Sequence, residues 1–266
     1  MRVSCIQLNT GENFEVNSRK TINLILKSIK RGADLIITPE ATSIIIDDKK
    51  KLFSKCNSMD SDPFLREVSA ISKKFKKWII IGSTFIKEKN NLRNRSIVFN
   101  PKGKVEKFYD KISMFDVQLK NGESYKESKQ FKAGKKLKLV NLPWGKLGLT
   151  ICYDLRFPEI FRALSKKGAI FISVPSAFTK YTGQKHWFSL LKARAIENFC
   201  FIFAPNQTGR NTKKRRTYGN STIISPDGKI LKIIKSKEGI ILADINIKEP
   251  TLLRKYIPSL QKKIFV

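Results

Sequence analysis

Cys152 stands in the stretch Leu147-Gly148-Leu149-Thr150-Ile151-Cys152-Tyr153-Asp154-Leu155-Arg156-Phe157-Pro158-Glu159. This reads as a strand, a sharp turn and a helix. Residues 147–151 are apolar but for one Gly and one Thr, as in a strand buried on both faces. Pro158 suits the first turn of a helix. A thiol at the C-terminal end of such a strand, facing a helix N-terminus, is a candidate nucleophile. It is also the kind of cysteine that simply packs a core, and the local sequence leaves both readings open. The usual partner of a nucleophilic thiol is histidine. The chain has one, His186, inside a predicted helix over 184–198. If His186 is not beside Cys152, another general base is needed, and carboxylates at strand ends are the natural candidates.

Glu40 is the first of these. It follows Leu35-Ile36-Ile37-Thr38-Pro39 and so emerges where a buried strand ends, as Cys152 does. Open α/β sheets place ligands beyond the C-terminal ends of their strands. A partly buried glutamate there would have a raised pKa and could accept a thiol proton; a surface carboxylate is the alternative. Lys111 closes a predicted hairpin strand at Phe108-Tyr109-Asp110. Held near Cys152, it would stabilise a thiolate and then an oxyanion. As one lysine among many, it carries no signal by itself.

The elements that must position these groups follow from hydrophobic pattern. A strand over 2–8 leads to a helix whose Ile22, Ile25, Leu26 and Ile29 share a face, with Gly32 as its cap. Residues 34–38 form a short buried strand, and 41–60 read as a charged surface loop. A helix is predicted from Pro63 to Lys77, then a buried strand over 78–83. Pro101-Lys102-Gly103 joins strands at 94–100 and 104–109 as a hairpin. Residues 112–135 read as loop. Strands follow near 137–142, 146–151, 169–174 and 199–204, with Ser225-Pro226-Asp227-Gly228 turning a second hairpin. A strand over 239–245 precedes a short terminal helix. Alternating strands and helices indicate an α/β class, and the hairpins make the sheets mixed. Two such halves predict a four-layer α-β-β-α sandwich. No linker divides the chain, so 1–266 reads as one domain.

Bulk composition narrows the function classes. With 266 residues and 41% hydrophobic composition, the chain can bury a large core. No apolar run is long enough to cross a membrane. The N-terminus reads directly as a strand rather than a signal peptide. The four cysteines, Cys5, Cys56, Cys152 and Cys200, are widely spaced, which argues against a zinc knuckle, a redox pair or a disulfide framework. A cytoplasmic location fits. The formal charge of +31 could suit an anionic partner. The basic clusters at Lys49–Lys51, Lys73–Lys77, Lys213–Arg216 and Lys262-Lys263 are instead dispersed and lysine-rich. No nucleic-acid-binding motif accompanies them, so no specific nucleic-acid partner is expected.

Taken together, three segments resemble the nitrilase superfamily of carbon–nitrogen hydrolases, whose members draw Glu, Lys and Cys in that chain order from three such stretches. They are Leu35 to Glu40, Tyr109-Asp110-Lys111-Ile112-Ser113-Met114-Phe115-Asp116-Val117, and Gly148 to Glu159. The resemblance covers almost the whole chain. It implies Glu40 as general base and acid, Lys111 as oxyanion stabiliser and Cys152 as nucleophile. A second active-site glutamate follows the lysine in this family; Glu127 matches it better than its rival Glu123 and would hold Lys111. The backbone N–H of Tyr153 would complete the oxyanion site. The implied reaction is acyl transfer through a thioester, with no metal and no other cofactor.

The downstream segments Val174-Pro175-Ser176-Ala177-Phe178-Thr179, Ala193-Arg194-Ala195-Ile196-Glu197-Asn198 and Arg216-Thr217-Tyr218-Gly219-Asn220-Ser221 look like the branch of deaminated-glutathione amidases and omega-amidases. Gly219-Asn220-Ser221 departs from that branch's common Gly-His-Ser. The branch implies a small-molecule partner, a 2-oxo acid carrying a terminal amide, with release of an amine or ammonia. Deaminated glutathione is the leading substrate; 2-oxoglutaramate, N-carbamoyl compounds and nitriles are alternatives. A basic binding protein on the same scaffold is the non-enzyme alternative. Arg156 either binds the substrate carboxylate or bridges to Glu159, the latter favoured by proximity, while Phe178 and Thr179 are pocket candidates. In this setting His186 packs its helix or supports the site from behind. Family members assemble as homodimers or larger oligomers through the helix after the cysteine, and the same is expected here.

Overall fold

A computed structural model describes residues 1–261; the Lys262-Lys263 pair lies outside them. The chain starts with β1 (Arg2–Gln7), α1 (Phe14–Lys30), β2 (Leu35–Ile37), α2 (Lys49–Lys55) and α3 (Pro63–Phe75). Next come β3 (Trp78–Glu88), β4 (Asn91–Phe99), β5 (Val105–Asp110), β6 (Asp116–Gln118) and β7 (Ser124–Lys126). The second half holds β8 (Lys138–Leu142), β9 (Gly145–Leu149), α4 (Pro158–Lys166), β10 (Ala169–Ser173) and α5 (Lys180–Asn198). It finishes with β11 (Phe201–Ala204), β12 (Thr208–Arg210), β13 (Arg216–Tyr218), β14 (Ser221–Ile224), β15 (Ile230–Ile234), β16 (Gly239–Asp244) and α6 (Glu249–Tyr256).

Two six-stranded mixed sheets result, in the orders β16-β1-β2-β3-β4-β5 and β15-β14-β11-β10-β9-β8. Side-chain alternation shows how they stack, because successive residues of a strand face opposite sides. Val3, Cys5, Leu35, Ile37, Ile80 and Val98 join a core shared with β9, β10 and β11. Their neighbours Ile6, Ile36, Ile79, Ile81 and Ile97 pack instead with Ile22, Ile25, Phe64 and Val68 of α1 and α3. Phe161, Leu164, Trp187 and Leu191 of α4 and α5 cover the second sheet. Each sheet is thus buried on both faces, which gives the α-β-β-α layering. Among the described residues no helix is long and apolar enough to cross a membrane.

Three departures from the sequence pattern shape the site. Residues 41–46 are not a surface loop: all six are buried. Ile44, Ile45 and Ile46 pack with Leu52, Phe85, Leu92 and Phe131. Charged flanks hid this apolar segment. The 112–135 region contains the β6–β7 ribbon and a 3₁₀ turn over Glu127–Lys129. The helix predicted from 184 starts at Lys180, where the Thr179 side chain accepts a hydrogen bond from the Thr182 N–H.

Gly82 links fold to site. It lies in β3 where pairing with β4 shifts register, and its N–H donates to Thr38 Oγ1 at 2.9 Å. A Cβ at Gly82 would stand 1.9 Å from the Thr38 carbonyl oxygen and 2.8 Å from that of Pro39. Both are backbone atoms on the segment that delivers Glu40, so they cannot move cheaply. Gly82→Ala is therefore expected to cost about 3 kcal/mol. It should also depress activity beyond any loss of folded protein. Chemical denaturation and specific activity per folded molecule check this, and an unchanged unfolding midpoint would refute it.

Candidate active site

Glu40, Lys111 and Cys152 each sit just past the end of a strand. Beyond β2, Thr38 N–H still donates to Ile80 O at 3.0 Å, so the chain stays in line until Glu40. Lys111 follows β5, its N–H donating to Asn94 O at 3.0 Å. Past β9, Thr150 N–H donates to Ser173 O at 3.2 Å and Cys152 N–H to Pro175 O at 2.9 Å. Cys152 takes φ +47, a left-handed value that L-residues adopt at a cost. The kink turns the thiol off the strand and opens a 3₁₀ turn over Cys152–Arg156.

Asp154 clamps this turn to the lysine loop. Fully buried, it accepts from Tyr109 OH at 2.7 Å, Ser113 N–H at 3.0 Å and Ile151 N–H at 2.9 Å. Burial pushes the Asp154 carboxyl up, against the donors around it.

The side chains meet in one buried cluster. Lys111 Nζ donates to Glu40 Oε1 at 2.9 Å and to Glu127 Oε1 and Oε2 at 3.0 and 2.8 Å. Asn94 Nδ2 donates to Glu40 Oε1 at 2.9 Å and to Glu127 Oε1 at 3.1 Å. Ala177 N–H donates to Glu40 Oε2 at 2.8 Å, and Phe115 N–H to Glu127 Oε2 at 2.7 Å. The Cys152 thiol lines the same cavity, and its titration answers to the charges of Glu40 and Lys111. Each carboxyl oxygen of Glu40 and Glu127 has a donor, so neither side chain is left unpaired beside the lysine. Among the described residues no three or more His, Cys, Asp or Glu side chains are disposed to hold a metal ion.

The electrostatics correct one expectation. Burial does push the Glu40 carboxyl up, but the Lys111 and Arg215 charges and the hydrogen bond from Lys111 outweigh it. Glu40 is held well below the usual carboxylate range rather than raised. The Cys152 thiol goes the other way, pushed up by burial and by the Glu40 charge, with Lys111 opposing only in part. Burial works against the Lys111 charge, yet Glu127 and Glu40 raise its pKa further still. The resting site therefore sets an ionised Glu40 and a Lys111 ammonium beside a neutral Cys152 thiol.

A cavity of about 600 Å³ opens onto the cluster. Tyr153, Arg156, Phe178 and Thr179 line it with the four clustered residues. Among the described residues nothing accepts the Tyr153 N–H, whereas the N–H groups on either side are bonded to Pro175 O and Ile151 O. Arg156 forms no bridge to Glu159. Its Nη2 lies 3.3 Å from His186 Nδ1, and its guanidinium sits 6.0 and 5.5 Å from the ring centres of Tyr153 and Phe178. His186 is exposed and outside the cavity lining. It does not pack its helix and does not line the cavity with the thiol, but its contact with Arg156, which does line it, places it behind the site. Glu123 stays at the rim, bonded by Asn121 Nδ2 and Tyr125 OH, while Glu127 is the glutamate that reaches Lys111.

Four contributors escaped sequence reasoning: Asn94, the Ala177 and Phe115 N–H groups, and Arg215. Asn94 carried a signal, since it is an amide inside an otherwise buried strand and such a group needs partners. Arg215 was masked by the basic run around it. The backbone donors left no signal in residue type.

The carbon-nitrogen hydrolase family model matches residues 2–255. A deaminated glutathione amidase of Synechocystis sp. is 36% identical over 269 residues, spanning 99% of this chain and 98% of that protein. The crystal structure of the C. elegans NitFhit protein superposes with a TM-score of 0.91 at 28% identity, over 98% of this chain and 64% of that longer one. Saccharomyces cerevisiae Nit3, a member of branch 10 of the nitrilase superfamily, superposes with a TM-score of 0.87 at 25% identity, covering 99% and 96%. With a buried Glu–Lys–Glu cluster against a strand-end thiol and a family match over nearly its whole length, this chain belongs to the carbon–nitrogen hydrolases, enzymes acting on C–N bonds other than peptide bonds.

Proposed function

We propose that this hydrolase is an amidase for 2-oxo acid amides, with deaminated glutathione as its preferred substrate. The observation that carries the proposal is the Cys152 thiol lining one cavity with the Lys111–Glu40 ion pair, whose atoms are 2.9 Å apart. The 36% identity to a deaminated glutathione amidase supports the substrate. In this reading Glu40 takes the thiol proton as sulfur adds to the amide carbon. Because a high-pKa thiol faces a low-pKa carboxylate, a free thiolate never accumulates. Proton transfer and carbon–sulfur bond formation proceed together, and the charge passes to the carbonyl oxygen. Lys111 and the Tyr153 N–H hold that oxygen. Glu40 returns the proton to the amine nitrogen as the C–N bond breaks, leaving a thioester. Water, deprotonated by Glu40, then releases the acid and restores the thiol. Glu127 and Asn94 keep Lys111 and Glu40 aimed. Arg156, above Tyr153 and Phe178, takes the carboxylate of the 2-oxo acid, and Thr179 walls the pocket.

The same reading includes a homodimer in the cytoplasm. The four free thiols suit a reducing compartment, and sedimentation velocity reads the oligomeric state. Chromatographic measurement of the consumption of each candidate tests the substrate. Deaminated glutathione should be cleaved with the highest kcat/KM, ahead of 2-oxoglutaramate, N-carbamoyl amino acids and nitriles. Turnover confined to nitriles, or a preference for 2-oxoglutaramate, would reject this assignment.

A further inference from the structure

Arg215 is a guanidinium in want of an anion. It lines the cavity, and one of its nitrogens, Nη2, donates to Ala177 O at 2.9 Å. Its group lies 5.6 Å from the Tyr125 ring centre. Its Nε is buried with no partner. Among the described residues Arg215 belongs to no ion pair, those of the site running from Lys111 to Glu40 and Glu127. Unpaired buried donors are costly, so such a group is normally satisfied in the working complex.

Its position says which half of the substrate it would meet. Ala177 binds Glu40 through its N–H and Arg215 through its C=O. Arg215 is therefore anchored one residue from the group that hands a proton to the departing nitrogen, and its charge bears directly on Glu40. Arg156 is held elsewhere, against Tyr153, Phe178 and His186. A second hollow of about 300 Å³ borders the first and shares Glu123 and Lys214 with it. Lys180, Arg210, Lys213 and Arg216 also line that hollow. Its one acid, Glu123, is already engaged by Asn121 and Tyr125. A cavity of about 600 Å³ is also generous for a primary amide of a five-carbon acid, since pockets of that size bury much larger ligands.

We propose that Arg215, backed by the basic hollow beside it, recognises a carboxylate on the amine half of the substrate and is the residue that sets the preference for a leaving amine carrying one. The proposal rests on the amidase reading above. It adds a second anion site, distinct from Arg156, that selects the leaving group.

Three amides with the same 2-oxoglutaryl acyl group test it: 2-oxoglutaramate, deaminated glutathione, and deaminated glutathione whose glycine carboxylate is capped as a carboxamide. The wild type should prefer the free carboxylate over the carboxamide by about tenfold to a hundredfold in kcat/KM, mostly through KM. In Arg215→Gln that ratio should fall to within about threefold, and Arg215→Lys should restore part of it. Lys214→Ala with Arg216→Ala, both exposed positions, should lower the ratio less. Each ratio is measured on one preparation, so partial unfolding of a variant cancels. A wild type indifferent to the cap, or a preference that survives in Arg215→Gln, overturns the proposal and leaves the amidase reading standing. No turnover of any of the three overturns both.

Discussion

Cys152→Ala is expected to lower kcat/KM for the best amide by roughly 100,000-fold while leaving the protein folded, the scale seen when a covalent nucleophile is removed. The argument begins with what remains. Glu40, Lys111, Glu127 and Asn94 keep their mutual bonds, because none of those bonds passes through sulfur. The cavity still binds substrate and still offers oxyanion donors. What is lost is the atom that forms the acyl bond, so the route through a thioester closes. Stability should change little. Alanine carries the same φ burden at position 152, and the Cys152 N–H bond to Pro175 O is a backbone contact that persists. Intact-mass spectrometry provides the second readout: the wild type mixed with substrate should show a 2-oxoacyl adduct that the variant lacks. The resting thiol gives a third. With its pKa pushed up by burial and Glu40, alkylation of Cys152 should be slow at neutral pH and still rising past the ordinary thiol value of 9.0. Turnover within tenfold of wild type in Cys152→Ala would remove the thiol from the mechanism.

What could be foreseen follows the range of the interactions. Buried strands at 2–8, 34–38, 78–83 and 146–151 were legible because their signal is local: apolar runs bounded by Gly or Pro. Strand ends then pointed to Glu40 and Cys152. Lys111 was invisible to composition in a chain with 53 lysines and arginines, and only the resemblance of its segment marked it. The contacts that finish the site join positions 137 residues apart for Glu40 and Ala177 and 71 apart for Glu40 and Lys111, which no periodicity encodes. The Glu40 shift shows the cost of that blindness. Position alone foretold burial, hence a raised pKa. The opposite direction comes from two cations supplied by distant segments, and neither could be assigned to Glu40 without the fold. Arg215 was likewise read as part of a solvated basic run, when a single turn directs it inward while Lys214 and Arg216 face out.

Lys111→Met should be the most destabilising substitution in the site, costing about 3–5 kcal/mol at neutral pH, the usual toll for leaving buried charge without its partner. For a chain of this size that is roughly 10 °C in the unfolding midpoint. Methionine fills much of the volume but donates nothing. Among the described residues, Asn94 and the backbone N–H groups of Ala177 and Phe115 are then left as the donors to Glu40 and Glu127. The pH dependence gives the prediction its sign. In the wild type the folded-state Glu40 pKa lies well below its ordinary 4.5. Its contribution to stability is therefore complete above that value and is lost only as acid takes the pH down toward about 2. Without Lys111 the burial that pushes this carboxyl up loses its chief opponent. A raised folded-state pKa favours the protonated form, so the variant regains stability as the pH falls through it. The gap between wild type and Lys111→Met should accordingly narrow from pH 7 to pH 5, where a lost packing contact alone would leave it constant. Activity should fall at least about a thousandfold, since an oxyanion donor and the alignment of Glu40 disappear together. A gap in midpoint that stays the same across that pH range would mean Lys111 acts through its shape and not through its charge.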